Sequence, residues 1–541
     1  MKKRILASVM VIMLTITSMS IVFAQEENKE VVIKNVILLV PDGTRVDSIT
    51  LARWYNGGEP LAMDEFACGL VRTYNSDSPI ADSAPAGSAM ATGFKSKTGF
   101  IGVLPDENTM PGLKPLAKGD ERRPVASVLE AAQLANKSTG LVATSEVMHA
   151  TPAAFSAHYP NRGAYDILSK HMVYNEVDVV FGGGYEFMIP EGRKDDANMV
   201  TVLESKGYEV LTTKEEFDSF KGEKAWGLFA DASLPYDFDN DGSVPTLEAM
   251  TDKAIDILSK DKDGFFLMVE GSKVDWASHS NDPIGIISDL LAFDKACKVA
   301  LDYAKTNKDT VVIIVPDHGN GGISIGASSL DKGYDKEPLS SFLEPLKAAK
   351  LTGEGIATKL NEDRSNIVEV MATYYGITDL TDEEIAIIKE AKLSAMNVAV
   401  GPMISERAHI GWTTKGHTGE DVVLFIYSPD QDRLTGVVEN TDIALYMARK
   451  LGVNLADTTK ELFVPARQGF EELGAKVAWS EPVKYNPIVT VTKGDDVLEL
   501  LVHTNKAIYN GKEVVLDGVI VYNGISTYVP QDALDLFQVA K

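Results

Sequence analysis

The sequence predicts an α/β fold: a three-layer α/β/α sandwich on a mostly parallel central sheet, followed by a small C-terminal β-rich module. Three observations lead there. Short, almost wholly apolar runs recur through most of the 541 residues. Helical patterns alternate with them. After about Ser480 the texture changes to short strands punctuated by turn dipeptides.

The apolar runs are Val31 to Val40, Thr139 to Thr144, Phe265 to Val269, Val311 to Val315 and Val422 to Tyr427. Continuous hydrophobicity without alternation is the pattern of parallel strands buried on both faces. Helical patterns fall between them, at Pro124 to Asn136, Leu247 to Ser259 and Ile287 to Lys305. Strand alternating with helix gives a sheet covered on both sides. The catalytic domain is expected over 30–475. Leu351 to Ala395 is mostly helical and Gly401 to Glu420 polar and irregular, so about 330–415 reads as an insertion near the site entrance. Pro482 and Pro487 mark a linker, and the β module is expected over 487–541, with Asn510-Gly511 and Asn523-Gly524 as hairpin turns.

The first residues read as an export signal. Lys2, Lys3 and Arg4 precede an apolar run from Ile5 to Val22, and Val22-Phe23-Ala24 offers a cleavage site, so 1–24 is expected to be removed. An uncleaved anchor is the alternative. Export predicts a secreted protein, extracellular or associated with the cell wall. Cys68 and Cys297 are too few for a disulfide framework and read as two buried thiols, with a single bridge as the alternative. A net charge of -26 argues against nucleic acid as the main partner. An anionic substrate would then need local positive charge, which metal ions can supply.

Three strands end in residues that carry chemistry: Pro41-Asp42-Gly43, Glu270-Gly271, and Pro316-Asp317-His318-Gly319. Ligands of open α/β sheets bind beyond the carboxyl ends of the strands. One Asp-Gly alone is a turn; three endings of matching chemistry point to one site. Asp275 and His279 stand four apart, so on a helix they share a face and can grip one zinc. His417 lies between Gly416 and Thr418-Gly419. Carboxylates and imidazoles without thiolates suit catalytic rather than structural zinc. Ser83, followed by Ala84-Pro85-Ala86-Gly87, suits the start of a helix whose free N–H groups would face a phosphate oxygen. A plain serine N-cap is its other reading. His158, His171, His409 and His503 read as core histidines.

In order and spacing, Asp42, Asp82-Ser83-Ala84, Ala150-Thr151-Pro152-Ala153-Ala154, Val269-Glu270-Gly271, Asp275-x-x-x-His279, Asp317-His318 and His417-Thr418-Gly419 resemble the alkaline phosphatase family. The likeness covers about Lys34 to Phe470. It implies hydrolysis of phosphate monoesters to an alcohol and inorganic phosphate through a phosphoserine at Ser83, on two zinc ions and one magnesium. Asp275, His279 and His417 would hold the first zinc. Asp42, Asp317 and His318, joined by the Ser83 oxygen, would hold the second. Asp42, Thr151 and Glu270 would hold magnesium. Arg162 would clamp the phosphate, oriented by Asp82. His149 and Trp276 stand where the best-known proteobacterial version has Asp and Lys, which implies a less selective third metal site and a weaker hold on phosphate. A homodimer is implied as well.

The tail resembles the copper amine oxidase N-terminal type of module through Tyr509-Asn510-Gly511-Lys512-Glu513 and Thr527-Tyr528-Val529-Pro530, with no copper chemistry implied. Asp237-x-Asp239-x-Asp241-Gly242, with Glu248 beyond, copies the spacing of a calcium loop, so an additional calcium stands beside the plainer reading of a solvated acidic loop. Two other functions compete. A phosphodiesterase of the same superfamily would share the Asp and His ligands without Glu270, Thr151 and Arg162. A wall-associated binding protein with a relic enzyme fold should have lost ligands, and none is missing. A sulfatase would need an arginine where Gly87 stands.

Overall fold

The computed structural model describes residues 32–538, so the 1–24 segment read as an export signal lies outside the described residues. Among the described residues no helix is long and apolar enough to cross a membrane.

Strands β1 (Asn35–Pro41), β2 (Ala67–Arg72), β3 (Ser138–Glu146), β4 (Val179–Gly183), β5 (Glu209–Leu211), β6 (Ala225–Leu228), β7 (Phe265–Gly271), β8 (Thr310–Ile314), β9 (Val422–Tyr427) and β10 (Gly436–Glu439) build one sheet. Their spatial order is β10-β2-β9-β8-β1-β7-β3-β4-β6-β5. Along β1, Ile37 and Leu39 enter one hydrophobic core while Val36, Leu38 and Val40 enter the other. That two-sided burial is what the unbroken apolar runs encode, each such side chain contributing roughly 1.5–3 kcal/mol. One expectation is corrected. Val422–Tyr427 reads as a parallel strand, but β9 runs antiparallel to both β8 and β2. An apolar run records burial on two faces and carries no direction.

The predicted helices are present with shifted ends. Val128–Leu134 starts late because Ser127 and Glu130 form a capping box. Thr246 caps Leu247–Leu258, and Asp282 caps Pro283–Thr306 with Pro283 in its first turn. The irregular stretch expected from Gly401 starts later, because Met396–Arg407 is helical despite Pro402. Val400, Met403 and Ile404 on that helix are buried in the main core, so packing overrides the local signal.

The C-terminal module differs in its boundary. Pro482 and Pro487 lie in no linker: Lys476–Val483 and Asn486–Lys493 are paired strands of a five-stranded antiparallel sheet. Pro482 is tolerated because its strand is at the sheet edge and the register shifts between Ser480 and Val483. Asn510 at φ 49° and Gly511 at φ 80° form the tight turn that Asn-Gly predicts. Asn523-Gly524 lies in the loop between Val521–Tyr522 and Thr527–Val529. The module docks through buried polar contacts, with His171 Nε2 2.9 Å from His503 Nδ1 and Asn523 Nδ2 donating to the Arg122 carbonyl at 2.7 Å. Cys68, half-buried, and Cys297, buried, are both free thiols.

Candidate active site

The strands β8, β1, β7 and β3 are neighbours, and the chemistry sits at their carboxyl ends. Asp42 follows β1, Glu270 is the penultimate residue of β7, Asp317-His318 follow β8, and Thr151 lies in the short helix after β3. Lys273–His279 is helical, which brings Asp275 and His279 to one side. His417 is far away in sequence. It arrives on the short strand His417–Thr418, paired with Gly319–Asn320 just past Asp317-His318. Gly43 permits the closure: its φ is +64°, and a Cβ there would lie 2.5 Å from Asp275 Oδ1.

Three groups of ligand atoms result, each within 4.8 Å: Asp275, His279 and His417; Asp42, Asp275 and His318; Asp42, His149 and Glu270. The first is the expected zinc trio. In the second, Asp275 takes the place that the resemblance gave Asp317, whose Oδ1 accepts the backbone N–H of Gly43 at 3.1 Å and of His318 at 2.9 Å. Asp317 Oδ2 remains 3.1 Å from His318 Nε2, so Asp317 is at hand as well. The third group adds His149, which the resemblance put near magnesium and on the substrate side, to Asp42 and Glu270.

Their environment asks for cations. Both carboxylate oxygens of Asp42 and of Glu270, Asp317 Oδ2 and Thr151 Oγ1 are buried without a hydrogen-bond partner. Buried polar groups normally find partners, and unpaired buried charge is costly. Burial, then the neighbouring Asp317 and Asp275, pushes the Asp42 pKa well up. Burial pushes Glu270 up to about 8. Asp275 goes the other way: against the burial, His279, His318 and His417 hold it well below the usual carboxylate range. These donors, all oxygen and imidazole, fit zinc in the first two groups and a harder cation where Glu270 and Thr151 meet. The histidines are aimed from behind, as ligands must be. His279 Nδ1 is 2.6 Å from the Lys415 carbonyl and His417 Nδ1 2.7 Å from that of Ala81.

Ser83 begins the Ser83–Thr92 helix and is not its cap; extended Asp82 takes that position and makes no side-chain cap bond. The Ser83 hydroxyl lies 3.1 Å from His318 Nε2, inside the second group. Asp82 accepts the Gly99 N–H at 3.0 Å and forms an ion pair with Arg162 Nη1. Arg162 Nη2 is 3.0 Å from His149 Nε2. That ring's pKa is lowered to about 3 by burial and by the Arg162 charge, so it is neutral and its Nε2 can accept a hydrogen bond from the guanidinium. Trp276 meets His149 edge-on, with ring centroids 5.9 Å apart. All the sequence-predicted site residues are therefore together.

Sequence reasoning missed Asn320, whose Nδ2 donates to the Asp275 carbonyl at 3.0 Å and to its Oδ1 at 2.7 Å. Its place two residues after His318 was the only signal. The calcium reading is corrected. Asp239 accepts from Thr352 N at 2.8 Å, Thr352 Oγ1 at 2.5 Å and Gly355 N at 3.0 Å, so it is spent on protein donors. Asp237 and Asp241 join no metal-type group among the described residues.

Comparison with known proteins gives the family. The family model for alkaline phosphatase matches residues 33–453. The chain belongs to the alkaline phosphatase family. A second model, the copper amine oxidase N-terminal domain, matches 451–536. Alkaline phosphatase 3 of Bacillus subtilis (strain 168) is 37% identical, across 80% of this chain and 92% of the relative. The crystal structure of Thermus thermophilus alkaline phosphatase aligns with a TM-score of 0.69 at 26% identity, covering 80% of this chain and 96% of that one. A variant of TAB5 alkaline phosphatase, with aspartate in place of a histidine and Mg bound in its M3 site, aligns with a TM-score of 0.56 at 27% identity, covering 78% of this chain and 99% of that one. As a member of this family the chain is a metal-dependent enzyme that hydrolyses phosphate monoesters.

Proposed function

We propose that hydrolysis proceeds through a phosphoserine at Ser83, on a site of two zinc ions and one magnesium. The observation that carries this is the set of donorless buried oxygens of Asp42, Asp317, Glu270 and Thr151 next to a serine hydroxyl at a helix N-terminus. Zinc at Asp275, His279, His417 and at Asp42, Asp317, His318, with magnesium at Asp42, Thr151 and Glu270, would supply Lewis acidity that lowers the serine pKa and neutralises charge on the phosphoryl and leaving oxygens. The TAB5 relative with magnesium in a third site supports that last assignment.

The chain's own groups do the positioning. Arg162 presents a guanidinium to the phosphate, with Asp82 on one edge and His149 on the other fixing its plane. The free N–H groups of the Ser83–Thr92 helix face the equatorial oxygens, where charge gathers in the transition state. Ser83 Oγ attacks phosphorus, the alcohol leaves on the opposite side, and water then cleaves the phosphoserine.

The test is hydrolysis of p-nitrophenyl phosphate beside bis-p-nitrophenyl phosphate, with a Ser83→Ala control. A monoester rate orders of magnitude above the diester rate, and lost in the control, is expected. A diester preference would move the chain to the phosphodiesterase reading. We further infer removal of residues 1–24 on export, secretion with a cell-wall role for the module, and a homodimer. The basic-apolar N-terminal pattern and the family support these, and N-terminal sequencing, fractionation and light scattering test them in turn.

A further inference from the structure

Lys273 is a buried cation beside the site that the mechanism does not use. Its side chain is 1% exposed, on the helix that carries Asp275, Trp276 and His279. Its ammonium lies 4.2 Å from the centre of the Tyr236 ring and 5.5 Å from that of Trp276. Among the described residues the one carboxylate paired with it is Glu354, at 3.0 Å, which comes from the insertion. Glu354 is held in turn. Its N–H donates to Asn397 Oδ1 at 2.6 Å, and Asp239 binds Thr352 and Gly355 on either side of it. The acidic loop with calcium spacing is thus the anchor of this segment.

From Lys273 a continuous set of contacts runs to the phosphate site. The ammonium faces Trp276; Trp276 meets the His149 ring edge-on at 5.9 Å; His149 Nε2 is 3.0 Å from Arg162 Nη2. We propose that Lys273, held by Glu354, is a positioning residue for the phosphate clamp, keeping Trp276 against His149 and His149 against Arg162. The insertion then sets how tightly the site holds phosphate, without touching the reacting atoms. A desolvated ammonium has strong reason to stay in this cage, because leaving Glu354 or the rings exposes it to an apolar interior. This inference rests on the reading of Arg162 as the clamp.

The experiment measures kcat, KM for p-nitrophenyl phosphate and inhibition by inorganic phosphate in metal-loaded Glu354→Ala, Lys273→Met, Lys273→Arg and Arg162→Ala proteins, with their thermal midpoints. Glu354→Ala and Lys273→Met should raise KM and the phosphate inhibition constant together, by about three- to ten-fold, with a much smaller change in kcat. Lys273→Arg should restore most of the loss, because a guanidinium keeps the charge and stacks on the same rings. Glu354 is 41% exposed, so its variant should fold even if Lys273→Met does not. A fall in thermal midpoint with KM and phosphate inhibition unchanged in Glu354→Ala would overturn the positioning role and leave a structural one. If Arg162→Ala itself leaves KM and phosphate inhibition unaltered, the clamp reading is what has failed.

Discussion

Two buried polar clusters in this protein have opposite bookkeeping. At the strand ends, Asp42, Glu270 and Thr151 are enclosed with side-chain oxygens that no protein donor reaches. Behind β3, next to the module, His158 Nε2 is 2.7 Å from Glu130 Oε1, its Nδ1 2.8 Å from the Gly102 carbonyl, and Asn175 donates to the same carboxylate at 3.1 Å. There His171 takes the His158 N–H on Nδ1 at 3.1 Å and faces His503 on Nε2. Both clusters contain histidine and carboxylate and both are almost free of solvent. The second satisfies itself and is structural; the first leaves its charge to be met by something else. Partner satisfaction, more than residue type, separates a functional cluster from a structural one.

Removing what balances the first cluster should have the largest effect. Chelation should abolish hydrolysis and lower the thermal midpoint together, since Asp42, Glu270 and Asp317 then repel one another; zinc and magnesium should restore both. Ser83→Ala should cost roughly a thousand-fold or more in kcat while leaving the midpoint almost unchanged, because its hydroxyl has one protein neighbour. A chelated protein that keeps its midpoint would erase the contrast between the clusters.

Glu130→Gln should do the reverse, destabilising by about 3 kcal/mol with little change in kcat of the folded protein. The pair also carries a pH signature. Burial opposes both charges, yet Glu130 raises the His158 pKa and His158 lowers that of Glu130. The histidine contribution is full below its unfolded value of about 6.5 and is lost as pH rises through the folded one. The glutamate contribution is full above about 4.3 and is lost as pH falls through its depressed value. The stability gap between wild type and Glu130→Gln should therefore be widest between those two pH values, and denaturant midpoints across pH measure it.

Smaller effects sharpen the comparison. Asp239→Ala should lose about 1–3 kcal/mol through the three donors it leaves unpaired, and calcium should not move the midpoint of the wild type. A calcium-dependent midpoint, absent in the variant, would return that loop to a binding role. Trp276→Lys should tighten inhibition by phosphate by a few-fold, because an ammonium would face the anion at about a cation–anion contact. Unaltered inhibition would remove Trp276 from the phosphate site.

Much of the catalytic centre was legible because its residues sit in local patterns. Asp42, Glu270 and Asp317-His318 each end an apolar strand, and Asp275 and His279 share a helical face. His417 was weaker, since nothing in Lys415-Gly416-His417-Thr418-Gly419 says which groups it meets; the family pattern gave it Asp275 and His279 as companions, and the structure gave it the strand at Gly319–Asn320. Glu130, His158, His171 and His503 were unreadable as a cluster, because their contacts join positions up to 332 residues apart. The linker reading failed for a similar reason: prolines are turn signals locally, but Pro482 sits on an edge strand and Pro487, on the next strand, falls within the register shift between them.

The sequence by itself determined the burial of the strands, the turn at Asn510-Gly511, the helix beginning at Ser83 and the polar residues that end the strands, because periodicity, cap chemistry and residue type act over a few positions. The tertiary structure decided the direction of β9, the spending of Asp239 on the insertion, the place of His149 between Arg162 and Glu270, and the cage around Lys273. Each of these depends on which distant groups complete a buried polar atom, and that is fixed only when the layers pack.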